Sequence, residues 1–423
     1  MIPPGLGPQI AGAAADALDS GDTAWVLASA ALVMIMTPAL AFFYGGMAGR
    51  RNVLATIMQT FIIVAIISVQ WVLWGYFLAF GPDKGGFIGG LEWFGFHHVG
   101  QEPNAAYAAT IPHQAFAIFQ MMFAIITPAL ITGVFAGRMR FKAFLLFTVL
   151  WATFVYDPLA HWIWGAGGWL REWGALDFAG GTVVHISSGM AALAAALTLR
   201  RRKEGPSSGE APHDVTMIVL GAAFLWFGWF GFNAGSAVAS GGLAANAFLV
   251  TNTAAAMSAL VWMTMTWWFG GKPSVIGAAS GAVAGLVAIT PASGYVGPMA
   301  AILIGTGSGV LCYLACRLRA RVGFRDELDV WGVHGVGGIW GALATGVLAS
   351  VAINSAGGDG LLYGDARQLG IQGVAVACAA AYSFVMTVAI LKVLNALVPT
   401  QVPGHEEAMG LDWALHGETA YQT

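Results

Sequence analysis

The stretch LDFAGGTVVHISSGMAALAAAL (residues 176–197) has the length and apolar character of a membrane-crossing helix, yet it opens on Asp177 and carries His185 well inside. At about 1.5 Å of rise per residue, His185 lies about 12 Å beyond Asp177. An ionisable ring at that depth is costly in hydrocarbon, so such groups face a bundle interior or a water-filled path. The neighbours favour the interior. Gly181, His185, Ser188 and Gly189 share one face by i, i+3 and i+4 spacing, and small residues there let a second helix approach closely.

The rest of the 423-residue chain carries the same signature. Hydrophobic residues make up 58% and charged residues 9%, too little charge to cover a soluble surface. The 58 glycines follow no collagen period and suit close helix packing in lipid. No basic patch interleaved with aromatics points to nucleic acid. Cys312, Cys316 and Cys378 form no disulfide framework and read as small buried hydrophobes. The N-terminal stretch MIPPGLGPQIAGAAADALDSGD (residues 1–22) lacks a basic region followed by an apolar one, so it does not read as a cleavable signal peptide. Apolar runs near 24–47, 53–80, 113–136, 143–160, 177–199, 215–238, 246–270, 274–291, 297–316, 329–351 and 370–398 predict eleven spans. Tyr156-Asp157-Pro158 is expected to break or end the fourth, and the eighth is short.

Basic residues give an orientation. With the first turn inside, Arg50, Arg51, Arg138, Arg140, Lys142, residues 200–203, Lys272, Arg317, Arg319, Arg321, Arg325 and Lys392 fall on one side. Only Lys84, Arg171 and Arg367 remain on the other. Fifteen of eighteen on one face predicts an outside N-terminus and an inside C-terminus. The polar linker of residues 201–214 separates five spans (24–200) from five more (215–351). An odd number per half inserts the second half upside down, the parity of an inverted repeat with a site near the midplane. The expected fold is therefore an all-α integral membrane protein with a 5+5 inverted repeat. To it are added an outer segment (1–23), an outer loop with an eleventh helix (352–398) and an inner tail (399–423). DFAGGTVVH in span five and DVWGVHGVGG in span ten form a weak internal echo.

That echo brings a second histidine, His334, about 8 Å beyond Asp329 from the opposite side. His334, Gly337, Gly338 and Gly341 again share a face. A lone membrane histidine can simply bridge two helices by one hydrogen bond. Two at matching places in opposite halves point instead to a functional pair. Asp177 and Asp329 each read first as helix N-caps; Asp177 has a sharper reading as organiser of a cation site that it does not touch. The aromatic clusters at 119–123, 162–168 and 226–236 could line a path, though single rings are mostly core. The His97-His98 pair has no further ligands nearby, and no HExxH, GxSxG or phosphate-loop motif occurs. These features predict no metal, no cofactor and no enzyme.

At LDFAGGTVVHISSGMAALAAALTLRRR the chain resembles the ammonium transporter family (Amt/Mep/Rh), in particular its bacterial Amt branch. FFYGG (42–46), WFGFNAGSA (229–237), DVWGVHGVGG (329–338) and GLDWALHGETAY (410–421) extend the likeness from residue 24 to the C-terminus. The resemblance implies a homotrimer in a bacterial cytoplasmic membrane, with one eleven-helix pore per subunit. It assigns His185 and His334 as twin pore histidines and Phe123 and Phe232 as a phenylalanine gate. Phe123, Trp164 and Ser236 become an outer ammonium recruitment site, with Asp177 supporting it from behind. The tail residues Gly410, Leu411, Asp412, His416, Gly417, Glu418 and Tyr421 match the segment that binds a P-II-type (GlnK-like) signal protein. No family role carries over to residues 81–112.

Physical chemistry fits those expectations. Ammonium and potassium are alike in charge and size, so selection needs aromatic faces for cation–π attraction and a directed acceptor such as the Ser236 hydroxyl. A narrow apolar pore then disfavours the dehydrated ion but admits neutral ammonia. Buried histidines are expected neutral and able to relay the proton. Ammonium would bind, lose its proton near the gate, and cross as ammonia with coupled proton transfer; methylammonium is the natural analogue. Two alternatives remain at this stage. One is an ammonium sensor of the same fold acting through its tail. The other is an Rh-like gas channel for ammonia or carbon dioxide.

Overall fold

The computed structural model describes residues 18–199 and 212–421. The expected outer segment up to residue 17, the basic cluster at 200–203 and most of the polar linker lie outside the described residues.

Within them the chain is a helix bundle. Nine helices are long and apolar enough to cross a membrane. In chain order the bundle consists of α1 (Ser20–Met47), α2 (Val53–Phe80), α3 (His113–Phe135), α4 (141–164), α5 (Gly181–Thr198), α6 (Val215–Gly235), α7 (Gly242–Gly270), α8 (Val275–Ile289), α9 (Pro298–Val322), α10 (331–348) and α11 (Ala366–Leu397). The two outside the nine are the 15-residue α8 and α10, in which a π-turn at Trp331–Gly335 continues as Val336–Leu348. Several helices start on the side chains expected to satisfy free N–H groups. Asp19 accepts from Asp22 N, Asp214 from Met217 N and Ser274 from Gly277 N.

Tyr156-Asp157-Pro158 does not end α4. The helix passes through a π-turn at Ala152–Tyr156 and continues as Asp157–Trp164. Proline has no N–H to give to the carbonyl four residues back. That carbonyl, on Phe154, is taken instead by the Tyr382 hydroxyl of α11 at 2.7 Å. A long-range hydrogen bond thus replaces the local one that Pro158 removes, and the break expected from sequence is averted.

The connections interlock at two ends of the bundle. At one, here termed the loop face, residues 81–112 form two small antiparallel hairpins. Asp19 N there donates to Thr110 O, and Trp169 N to Gly86 O. At the other, the tail face, Arg140 N donates to Thr400 O and Val402 N to Arg138 O. The main core draws on the inner faces of all eleven helices; a smaller one, with Val250, Ala254, Ile289 and Ile304, further knits α7 to α9. Phe61, Leu260, Leu303 and Val385 point outward from the sides of the bundle, where a bilayer is the compatible solvent.

Candidate conduction site

The site begins at the loop face with a cavity of about 510 Å³, lined among others by Phe123, Trp164, Arg171, Asp177, Ser236 and Tyr295. Asp177 N-terminally caps α5 with unusual completeness. One carboxylate oxygen accepts from Gly180 N and Gly181 N, and the other from Thr182 N and Val183 N, at 2.6–3.0 Å. Its backbone carbonyl accepts from the Trp164 indole N–H at 2.8 Å. The residue therefore holds the helix start and one wall of the cavity together, with its charge turned into backbone. Ser236 donates its hydroxyl proton to Phe232 O at 2.8 Å, which leaves its oxygen lone pairs as acceptors on the cavity wall.

Below the cavity the rings form a file. Phe123 meets Trp164 edge-on at 5.8 Å and Phe232 at 4.4 Å between centroids, a distance that closes the floor. Phe232 lies over His185 at 5.9 Å with planes 23° apart. His185 also stacks on Trp229 at 5.3 Å, and the Trp229 indole is fixed by its bond to Thr290 Oγ1 at 2.9 Å. Trp229 was not singled out from sequence, because one tryptophan in WFGWFGF looks like any other apolar residue there.

His185 and His334 meet. Their rings are 5.3 Å apart and 26° from parallel, and Nδ1 faces Nδ1 at 3.3 Å. One of these nitrogens must donate and the other accept, so two neutral rings carry opposite tautomers. His185 Nε2 is buried without a protein partner. Both histidines sit in π-turns, Gly181–Ile186 and Trp331–Gly335, a widened local geometry that recurs at functional positions. The small residues decide how close α5 and α10 come. A Cβ on Gly189 would lie 2.2 Å from Gly335 N, and one on Gly338 would lie 2.9 Å from Gly181 O. Beyond His334, towards the tail face, a cavity of only about 20 Å³ is bordered by Phe43, Tyr44, Val333 and Asp329, room for about one water-sized molecule.

Asp329 does not cap α10. It takes φ +57°, and its carboxylate pairs with Arg319 at 2.6 Å. The cap is the fully buried Asp326, which accepts from Trp331 N at 2.7 Å. Burial, reinforced by neighbouring Asp329, pushes the Asp326 carboxyl up to about 7. This also corrects the internal echo. Asp326 precedes His334 by eight residues, the spacing of Asp177 from His185, so DELDVWGVH rather than DVWGVH matches DFAGGTVVH.

The tail residues are gathered on the tail face. Leu411 N donates to Asn52 Oδ1 at 2.9 Å, and Asp412 Oδ1 accepts from Ala55 N at 2.8 Å, capping α2. Gly410, at φ +99°, lies against Arg51, where a Cβ would sit 2.5 Å from the Arg51 Cβ. His416 packs edge-on against Phe141 at 5.4 Å. Tyr421 pairs with His213 at 2.9 Å, under Arg50. Gly417, at φ +68°, closes the preceding π-turn and Glu418 N turns back to Asp412 O. Residues 81–112, without a role from sequence, bring Ala106 and Tyr107 to the cavity wall. His97 and His98 pack ring to ring at 3.8 Å, and the described residues contain no cluster of three potential metal ligands.

The model for the Ammonium Transporter Family matches residues 24–421. An ammonium transporter from Bacillus subtilis is 51% identical over 406 residues, covering 96% of this chain and 99% of its own. Among solved structures, Candida albicans Mep2 superposes with a TM-score of 0.87 at 36% identity, covering 92% of this chain and 88% of its own. A structure titled Sensor Amt Protein superposes with a TM-score of 0.84 at 29% identity, covering 94% and 98%.

Proposed function

From the premise that the chain belongs to the ammonium transporter family, we propose that it recruits ammonium at the loop-face cavity, deprotonates it at the phenylalanine floor and conducts ammonia past the histidine pair. The observation that carries this reading is the unbroken file Trp164, Phe123, Phe232, His185, His334, each ring within 6 Å of the next. Aromatic faces and the Ser236 lone pairs attract a desolvating ammonium ion. The 4.4 Å contact of Phe123 with Phe232 excludes a hydrated cation. A directed donor and acceptor on the histidine pair suit ammonia and offer its proton a separate route, so net transport is electrogenic. Asp177 acts from behind by fixing Trp164 and α5.

The fold elements take their parts in the same reading. The eleven helices all span, the N-terminus lies outside, and the tail face with most of the basic residues lies in the cytoplasm of a bacterial cell. The two five-helix halves are inverted repeats, supported by matched Asp-to-His spacing and matched π-turns. The functional unit is a homotrimer. The tail, docked on the turns before α2 and α6, is the contact for a P-II-type signal protein. A second reading, supported by the likeness to Sensor Amt Protein, makes the docked tail the output of an ammonium sensor.

Proteoliposomes on a solid-supported membrane decide between them. Transport predicts sustained, saturable currents with ammonium and methylammonium and none with potassium, and loss of that pattern in His185→Ala and His334→Ala. No charge movement with ammonium would remove the transport reading. Unchanged currents and unchanged potassium exclusion in both variants would remove the histidine relay.

A further inference from the structure

Two charged residues border the loop-face cavity, and they are arranged differently. Asp177 spends its carboxylate on four backbone N–H groups. Arg171, on the short helix Trp169–Glu172, is exposed and forms no ion pair among the described residues. Its one side-chain hydrogen bond there runs from Nη1 to Trp164 O at 2.6 Å, a neutral acceptor that leaves the guanidinium charge uncompensated. Trp164 is thus held at two points, by Asp177 through its indole and by Arg171 through its carbonyl.

A fixed cation at the mouth of a cation site opposes electrostatic steering. We propose that Arg171 sets the affinity of the loop-face cavity for ammonium, its charge weakening capture and easing release. This rests on the cavity being the recruitment site. Two unit charges about 8–10 Å apart at an effective dielectric between about 40 and 80 correspond to an effect of about 2- to 5-fold on binding. The effect is greatest at low salt, since the screening length falls from about 30 Å at 0.01 M to about 3 Å at 1 M.

The test is the ammonium concentration dependence of the current for wild type, Arg171→Lys, Arg171→Gln and Arg171→Glu, at both ionic strengths. At low salt KM falls about 2- to 5-fold in Arg171→Gln and further in Arg171→Glu. Arg171→Lys stays at wild type, and all differences collapse at high salt. Two results overturn the proposal: Arg171→Glu with wild-type KM at low salt, or Arg171→Lys and Arg171→Gln shifting KM alike and independently of salt. The latter would leave Arg171 a support for Trp164 alone. Trp164→Leu and Ser236→Ala run in parallel. If they shift KM while Arg171→Glu does not, only the role of Arg171 fails; if neither shifts KM, the recruitment site fails with it.

Discussion

Replacing Gly189 by alanine tests the central contact most directly. The added Cβ would lie 2.2 Å from Gly335 N, 2.3 Å from Gly335 Cα and 3.0 Å from His334 C. These are backbone atoms, which cannot rotate away. The shortest contact is about 1.2 Å inside the 3.4 Å at which ordinary contact begins, so α5 and α10 must separate locally by about that amount. His334 precedes Gly335 directly, and the 3.3 Å Nδ1 to Nδ1 contact then opens beyond hydrogen-bond reach. Overpacking of this kind costs about 1–3 kcal/mol, which a folded bundle survives with a lower melting temperature. The expected result is purified, folded protein with reduced thermal stability and ammonium currents lowered at least tenfold. Wild-type melting temperature together with wild-type current would refute the steric reasoning. Lowered stability with full current would refute the claim that conduction needs the two rings in contact.

Three further outcomes follow from the same contacts. Asp177→Asn presents an amide to Thr182 N and Val183 N or to the other pair, leaving about two buried N–H groups unpaired at about 1–3 kcal/mol each; a melting temperature equal to wild type would show that the fourfold cap is not stabilising. Asp326 has a folded carboxyl at about 7, above its ordinary 3.8, so its contribution to stability is complete below pH 3.8 and is lost as pH rises through 7. Melting temperature against pH should therefore decline more over that window in wild type than in Asp326→Asn, whose amide oxygen still accepts from Trp331 N. Asp412→Ala removes the cap on α2 and is expected to cost about 1 kcal/mol and to speed amide exchange in residues 404–421; unchanged exchange would mean the tail is anchored elsewhere.

Much of this architecture was legible in the sequence because lipid imposes simple rules. Apolar length fixed where helices run, and glycine faces indicated which of them approach. The failures have local causes. Pro158 reads as a breaker because its hydrogen-bond loss is a local rule, whereas the Tyr382 hydroxyl that compensates comes from α11 and has no sequence signal. From sequence Asp329 reads as the cap because it stands next to the apolar run. The positive φ that turns it to Arg319 depends on tertiary contacts. Asp326 could have been found by counting: eight residues from aspartate to histidine in both halves. The π-turns were invisible, since composition cannot distinguish a turn of α-helix from one widened by a residue. The placement of Trp229 against His185 depends on how α6 crosses α5, which no spacing rule supplies.

The head-on meeting of the two Nδ1 atoms has a consequence of its own. Had one ring presented Nε2, the two ways of placing the shared proton would be chemically distinct, and one would dominate. Here they are near mirror images. Moving the donor role from one ring to the other while keeping both rings neutral requires one outer nitrogen to take up a proton and the other to release one, so the two ends of the pair are linked. The surroundings are less alike than the contact, since among the described residues only His185 carries Trp229 and Phe232 stacked on its face.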